Sequence, residues 1–249
     1  MGVLGTWALA VGIADLLAPR EDGVRDPRPR LIAATVAVPL LALVSAAALG
    51  MASGAALWVL VVTTVSGGVW LWLGRAPQPW AVPVALTVLA VAFVGLLASP
   101  DPAAPTVPPL GRWLAPSPFL GIDAELLVLI VGLAVLQIAT GNRIVRMALG
   151  QVEQGLLDQE AQLKGGRVIG PLERLLIFGL ATGGQLVAAG LVVAAKSLLR
   201  FGELRRGDGT DTRQPPRAEL MSEYLLVGSL LSWTLAFAAV AVVAVSAAG

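Results

Sequence analysis

Seven apolar stretches, each long enough to cross a bilayer as a helix, dominate the chain: residues 2–18, 31–49, 55–73, 80–98, 119–140, 171–200 and 223–247. A hydrocarbon core of about 30 Å needs roughly 17–25 apolar residues in a helix, and inside it the backbone must satisfy its own hydrogen bonds. The stretches are rich in Ala, Leu and Val and lack the alternation of a membrane β-barrel, so the expected fold class is all-α and polytopic. Hydrophobic residues make up 57% and charged residues 13%, against about 45–50% and about 25% in soluble domains. The chain contains no cysteine and no histidine. That removes disulfides, Cys/His zinc sites, thiol nucleophiles and imidazole acid–base chemistry. A net charge of +1 leaves no electrostatic case for nucleic acid. No metal or cofactor site is expected.

The first stretch opens Met-Gly with Thr6, the outline of a myristoylation signal, and resembles the apolar part of a signal peptide. No cation precedes it, and Asp15, Pro19 and Arg20 follow in place of a small-residue cleavage site. It reads as a permanent span. Basic residues resist translocation, so loops rich in Arg and Lys belong in the cytoplasm. Arg20, Arg25, Arg28 and Arg30 mark one such loop, Arg75 a second, and Arg143, Arg146, Lys164 and Arg167 a third. The Gly50–Gly54 turn and the loop 99–118 then lie outside, as does the N-terminus. Seven prolines from Pro100 to Pro118 predict extended backbone there.

Residues 171–200 break the simple alternation, because segment 201–222 also carries cations and belongs in the cytoplasm. Thr182-Gly183-Gly184-Gln185 sits at the middle of the stretch. The expectation is a re-entrant helical hairpin turning at those four residues, with Gln185 placed to satisfy backbone amides at the tip; the alternative is one long tilted helix with a kink there. The span count is then six plus the hairpin, with seven or eight spans as the alternative. Domain organisation follows: a five-span region 1–140, then 141–249 with an amphipathic helix 143–163, the hairpin, a solvated linker within 201–222 and the last span 223–247. On the amphipathic helix, Val145, Leu149, Val152, Leu156 and Leu163 share a face.

Four blocks carry a resemblance: GGRVIGPLERLLIFGL at 165–180, TGGQ at 182–185, AAKSLLRFGEL at 194–204 and EYLLVGSLLSW at 223–233. Over roughly residues 140–245 the chain resembles a bacterial family of uncharacterised integral membrane proteins, a domain of unknown function. The resemblance implies a bacterial cytoplasmic-membrane protein and brings no reaction, substrate or cofactor. Some members carry a His–Asp pair in the first span, where this chain has Asp15 alone.

Ionisable groups inside apolar segments are costly and mark sites. Glu173 and Arg174 open the hairpin, and Lys196, Arg200 and Glu203 close it, with Glu223 and Tyr224 at the start of the last span. Arg174, Lys196 and Arg200 are the candidate ligands of an anionic group, a lipid phosphate or a carboxylate, facing the cytoplasm; Glu173, Glu203, Glu223 and Tyr224 form a supporting network. Asp123 and Glu125 are expected to cap a helix start, and Asp15 to stay solvated near the surface. Gly179-xxx-Gly183, Gly190-xxx-Ala194 and Gly228-xxx-Ser232-xxx-Ala236 offer small faces that could join the hairpin to the last helix or make a homodimer. The tryptophans mostly suit interfacial belts, with Trp233 a packing anchor.

No nucleophile, base and metal set stands out. The reading is therefore a non-enzymatic carrier or binding protein for an anionic lipid or solute, its partners the membrane lipids. The alternative is a scaffold docking a membrane or cytoplasmic protein through 143–163 and 201–222. A lipid-modifying enzyme comes third.

Overall fold

The computed structural model describes residues 1–19, 28–99, 108–115, 123–149, 166–207 and 215–248; for 166–168, 199–207 and 215–225 it describes the backbone alone. All regular structure among them is helical: α1 Gly2–Leu17, α2 Arg28–Ala48, α3 Ser53–Leu73, α4 Ala81–Leu97, α5 Pro109–Leu114, α6 Ala124–Ile138, α7 Thr140–Leu149, α8 Gly166–Thr182, α9 Leu186–Gly207 and α10 Pro215–Ala248. Among the described residues, four helical segments are long and apolar enough to cross a membrane: Arg28–Ala48, Ser53–Leu73, Ala124–Leu149 and Leu226–Ala248. Gly2–Leu17, Ala81–Leu97 and Leu186–Leu198 are shorter apolar helices. The outer faces are apolar too. Ile32, Val36, Leu40 and Val44 recur every fourth residue along α2 and are all exposed, as are Leu57, Val61 and Val65 on α3. Water would penalise such stripes and lipid does not, so these outer faces are compatible with a membrane.

The chain divides into two compact units, residues 1–139 and 140–248. In the first, α1 is the central helix, packed by α2, α3, α4 and α6. Its contact with α6 is set by glycine. A Cβ on Gly5 would stand 2.7 Å from the Leu129 amide nitrogen, and one on Gly132 would stand 2.7 Å from the Gly5 carbonyl oxygen. Only a hydrogen fits at either place, so the two backbones touch. Gly12 meets Leu136 one stage further on, and Glu125 Oε2 accepts a hydrogen bond from the Gly2 amide at 3.1 Å. These pairs keep nearly constant spacing along both chains, so α1 and α6 run parallel.

Polar side chains tie the remaining helices to α1. Trp7 Nε1 donates to Ser66 Oγ on α3 at 2.9 Å, and the Trp7 ring lies 6.0 Å from Phe93 of α4. Trp72 Nε1 of α3 donates to Thr35 Oγ1 of α2 at 2.9 Å. At the far end of α1, Asp15 is buried, its side chain 2% exposed, and Arg75 Nη2 donates to its Oδ1 at 3.0 Å. The expectation of a solvated Asp15 is thus corrected: the turn after α3 brings a guanidinium to it.

Other local expectations are also corrected. Residues 109–114 of the Pro-rich loop form the short helix α5, with Pro109 in its first turn, where a missing amide proton costs nothing. Leu114 packs there with Leu49, Ala124 and Val128. Trp7 and Trp70 are buried inside the unit and so are no part of an interfacial belt, whereas Trp58, Trp72, Trp80 and Trp113 are exposed. Asp123 occupies the N-cap position of α6 but makes no side-chain cap bond, and Glu125 binds the first turn of α1. Residues 201–222 are helical at both ends, since α9 runs to Gly207 and α10 starts at Pro215. A 34-residue α10 thus begins before the last apolar stretch. Of the amphipathic helix 143–163, residues 150–163 lie outside the described residues.

Candidate functional site

The second unit contains α7, α8, α9 and α10. The break between α8 and α9 falls at Gly183–Gln185. Gly184 has φ +80°, a backbone that glycine adopts without strain. The Gln185 amide donates to the Leu180 carbonyl at 2.8 Å and the Gly184 amide to that of Ala181 at 3.1 Å. This pair of bonds is the Schellman ending, in which a left-handed residue lets the last carbonyls of a helix find donors. Gln185 contributes its backbone, and Thr182 Oγ1 donates to the Phe178 carbonyl at 2.7 Å.

Beyond that turn α9 folds back along α8. Ile177, Ala181, Ala189 and Ala236 form the buried core that joins both arms to α10. The small faces work differently from the expectation: a Cβ on Gly179 or Gly190 would meet open space, and Gly228 lies against Leu149 of α7. Ala236 of the third small face, by contrast, packs against the arms.

The hairpin brings Glu173 of α8 to Lys196 of α9, where Lys196 Nζ is ion-paired with Glu173 Oε2. The other carboxylate oxygen, Glu173 Oε1, accepts a hydrogen bond from Trp233 Nε1 of α10 at 2.8 Å. Next to it along the chain, Arg174 is 1% exposed, and its Nη1 donates to Ser232 Oγ at 2.9 Å. Gly170, one turn earlier, sits beside both Arg174 Nη1 and Asn142 Oδ1 of α7, each 3.9 Å from where its Cβ would be. Two consecutive residues of α8 therefore meet two consecutive residues of α10.

The depth of this group follows from the register. Trp233 lies ten residues beyond Glu223, the last charged residue of α10, so the Glu173 carboxylate is level with a point about 15 Å into the apolar run that follows it. Burying a charged residue there is costly unless its partners are fixed, and here both carboxylate oxygens have a donor. The Lys196 side chain remains 23% exposed and is the accessible member of the pair.

Of the sequence-derived set, the structure brings Glu173, Arg174 and Lys196 to one level and adds Ser232 and Trp233, which the sequence assigns to packing, with Asn142 nearby. The indole N–H was the missed signal: a tryptophan deep in an apolar stretch needs an acceptor. Arg200 and Glu203 lie on α9 and Glu223 and Tyr224 on α10, with side chains outside the described residues.

Comparison of the chain with family models, characterised proteins and solved structures finds no match. The resemblance over residues 140–245 rests on its motifs alone.

Proposed function

We propose that the chain is a multi-pass protein of the bacterial cytoplasmic membrane that binds an anionic group at a cytoplasm-facing site centred on Lys196, without catalysing a reaction on it. In this reading the N-terminus is outside, six helices span the bilayer, and α8 and α9 form a re-entrant hairpin whose tip, Thr182–Gln185, stays within the membrane. Supporting the hairpin, the Gly184 turn sends α9 back along α8, so that Lys196 pairs with Glu173 and both arms end on the same side. Membership of the uncharacterised family belongs to the same proposal.

One observation carries the site: a lysine and a glutamate pair beside an apolar membrane segment, and the lysine keeps an accessible face. Helix contacts need no such pair, because apolar side chains of similar volume stabilise as well or better. The ammonium has three donors and Glu173 takes one. The others can meet phosphate or carboxylate oxygens, with Arg200 one helical turn further along α9 and Arg174 behind.

Binding of phosphatidylglycerol in nanodiscs and of soluble sulfate to the purified protein tests the proposal and separates a lipid headgroup from a free anion. Lys196→Gln is expected to weaken binding at least tenfold, with Val187→Ala as a folded control on the exposed face of α9. Equal affinity in wild type and Lys196→Gln would overturn the assignment.

A further inference from the structure

We infer that the Trp233 indole N–H is the second donor of the anion site and that Glu173 occupies the site as a tethered competitor of the ligand. The inference rests on the anion-site reading above and concerns what fills that site. Lys196 Nζ, from α9, binds Glu173 Oε2, and Trp233 Nε1, from α10, donates to Glu173 Oε1 at 2.8 Å. Donors from two helices thus converge on one acid group and take one oxygen each. What they hold is a carboxylate, and a phosphodiester offers the same pattern, two free oxygens on one centre. The ligand class is therefore an acid group of that kind, carried by a lipid headgroup or free in solution.

Packing decides which member moves. Trp233 lies against the buried core of Ile177, Ala181, Ala189 and Ala236. The bond from Arg174 Nη1 to Ser232 Oγ, one residue away along both helices, ties α8 to α10 without using Glu173. The indole N–H therefore keeps its place when the carboxylate leaves it. Glu173 reaches the donors through a flexible side chain, and the exposed face of Lys196 is the side from which a ligand arrives. The ligand takes the indole N–H and one N–H of the ammonium, while Glu173 swings aside and keeps another, because an ammonium has three. No charge is left without a partner. Two anions then share one cation, and their repulsion holds the affinity down. The chain keeps the carboxylate at a high local concentration, so a ligand binds only by displacing it from Trp233.

The test titrates phosphatidylglycerol in nanodiscs and soluble sulfate, which separate a headgroup from a free anion, against wild type, Glu173→Gln and Glu173→Gln with Trp233→Phe. Glu173→Gln removes the competing charge and keeps an oxygen for the indole, so it is expected to bind at least about tenfold more tightly than wild type. Adding Trp233→Phe keeps most of the ring and removes the N–H, and should weaken binding by about tenfold relative to Glu173→Gln alone. In the wild type the Trp233 indole N–H resonance should shift on saturation, as its acceptor changes from Glu173 to the probe. That reading stands if Glu173→Gln fails to fold. Affinity that is unchanged or lowered in Glu173→Gln, or an indole resonance that stays fixed while the probe binds, overturns the competitor and leaves the Lys196 site intact. Absence of binding in every form removes the anion site itself, and this inference with it.

Discussion

Residues 1–139 and residues 140–248 both surround polar side chains with apolar helices, but they place those side chains at different points. In the first unit the charged contacts sit at the two ends of α1: Glu125 holds the amide of Gly2 at one end and Arg75 holds Asp15 at the other. Between them the helix contacts are glycine, alanine and neutral hydrogen bonds such as Trp7 to Ser66. The second unit has its ion pair inside, level with Trp233, and leaves glycines 179 and 190 of the hairpin uncovered. At the end of α1 Arg75 serves as the partner that Asp15, its side chain only 2% exposed, needs where the helix stops. The Glu173–Lys196 pair lies within an apolar run instead, where apolar side chains of similar volume would stabilise as well, and that position is what supports the proposed anion site in the second unit.

The largest expected effect breaks the interior pair. Glu173→Ala leaves the lysine ammonium and the Trp233 indole without their acceptor and should destabilise the protein by about 3–5 kcal/mol in denaturant titrations in detergent. Replacing both members with apolar residues, Glu173→Leu with Lys196→Met, should recover most of that loss while removing anion binding along with the lysine. Anion binding that persists in the double variant would make the pair a packing device and erase the contrast between the units.

Glycine provides the second test. Gly132→Ala forces a Cβ to within 2.7 Å of the Gly5 carbonyl oxygen and 2.8 Å of the Leu9 amide nitrogen. Both are backbone atoms, so the helices must separate, at a cost of about 1–3 kcal/mol. Gly179→Ala meets open space and removes a poor helix former, so it should leave stability unchanged or raise it by up to about 1 kcal/mol. Equal losses at the two positions would show that the hairpin glycines are covered.

Spans, turn and charged groups were legible in the sequence to different depths, for physical reasons. Apolar length alone locates α2 and α3 within a few residues, because a membrane helix is specified by transfer free energy and not by its neighbours. The turn at Gly183–Gln185 was legible because two adjacent glycines interrupt an apolar run. Helix–helix register was not. Gly5, Gly12 and Gly132 are separated by far more sequence than any small-residue motif spans, so their contact exists only once α1 and α6 lie parallel. For the same reason Asp15 gave no sign of Arg75, sixty positions away, and Trp233 no sign of Glu173.

A third effect, of about 1 kcal/mol, is expected from Trp7→Phe. The ring volume near Phe93 is largely kept while the bond to Ser66 is lost, and Ser66 Oγ retains its own bond to the Val62 carbonyl at 2.6 Å. Thermal unfolding of the purified protein measures it, and a loss above about 3 kcal/mol would mean that the indole orders more of the first unit than this single contact.

The smallest effect sharpens the assignment of the two acidic residues at the start of α6. A sequence reading makes both of them caps, and the structure separates them. Asp123 holds the N-cap position with no side-chain bond, whereas Glu125 accepts from the first amide of the parallel helix α1. Helix starts carry partial positive charge, so a carboxylate serving two parallel starts is favoured by both, by roughly 0.3–1 kcal/mol at an exposed site. Glu125→Gln keeps an oxygen for the Gly2 amide and loses only the charge, so it should cost a few tenths of a kcal/mol by that principle. Glu125→Ala loses the acceptor as well and should cost about 1 kcal/mol. Asp123→Ala removes no bond and should stay within about 0.5 kcal/mol of wild type. The order of the three, measured by denaturant titration under one set of conditions, decides the matter. If Asp123→Ala proves the most damaging, the cap is made by Asp123, and the tie between α1 and α6 rests on the glycine contact alone.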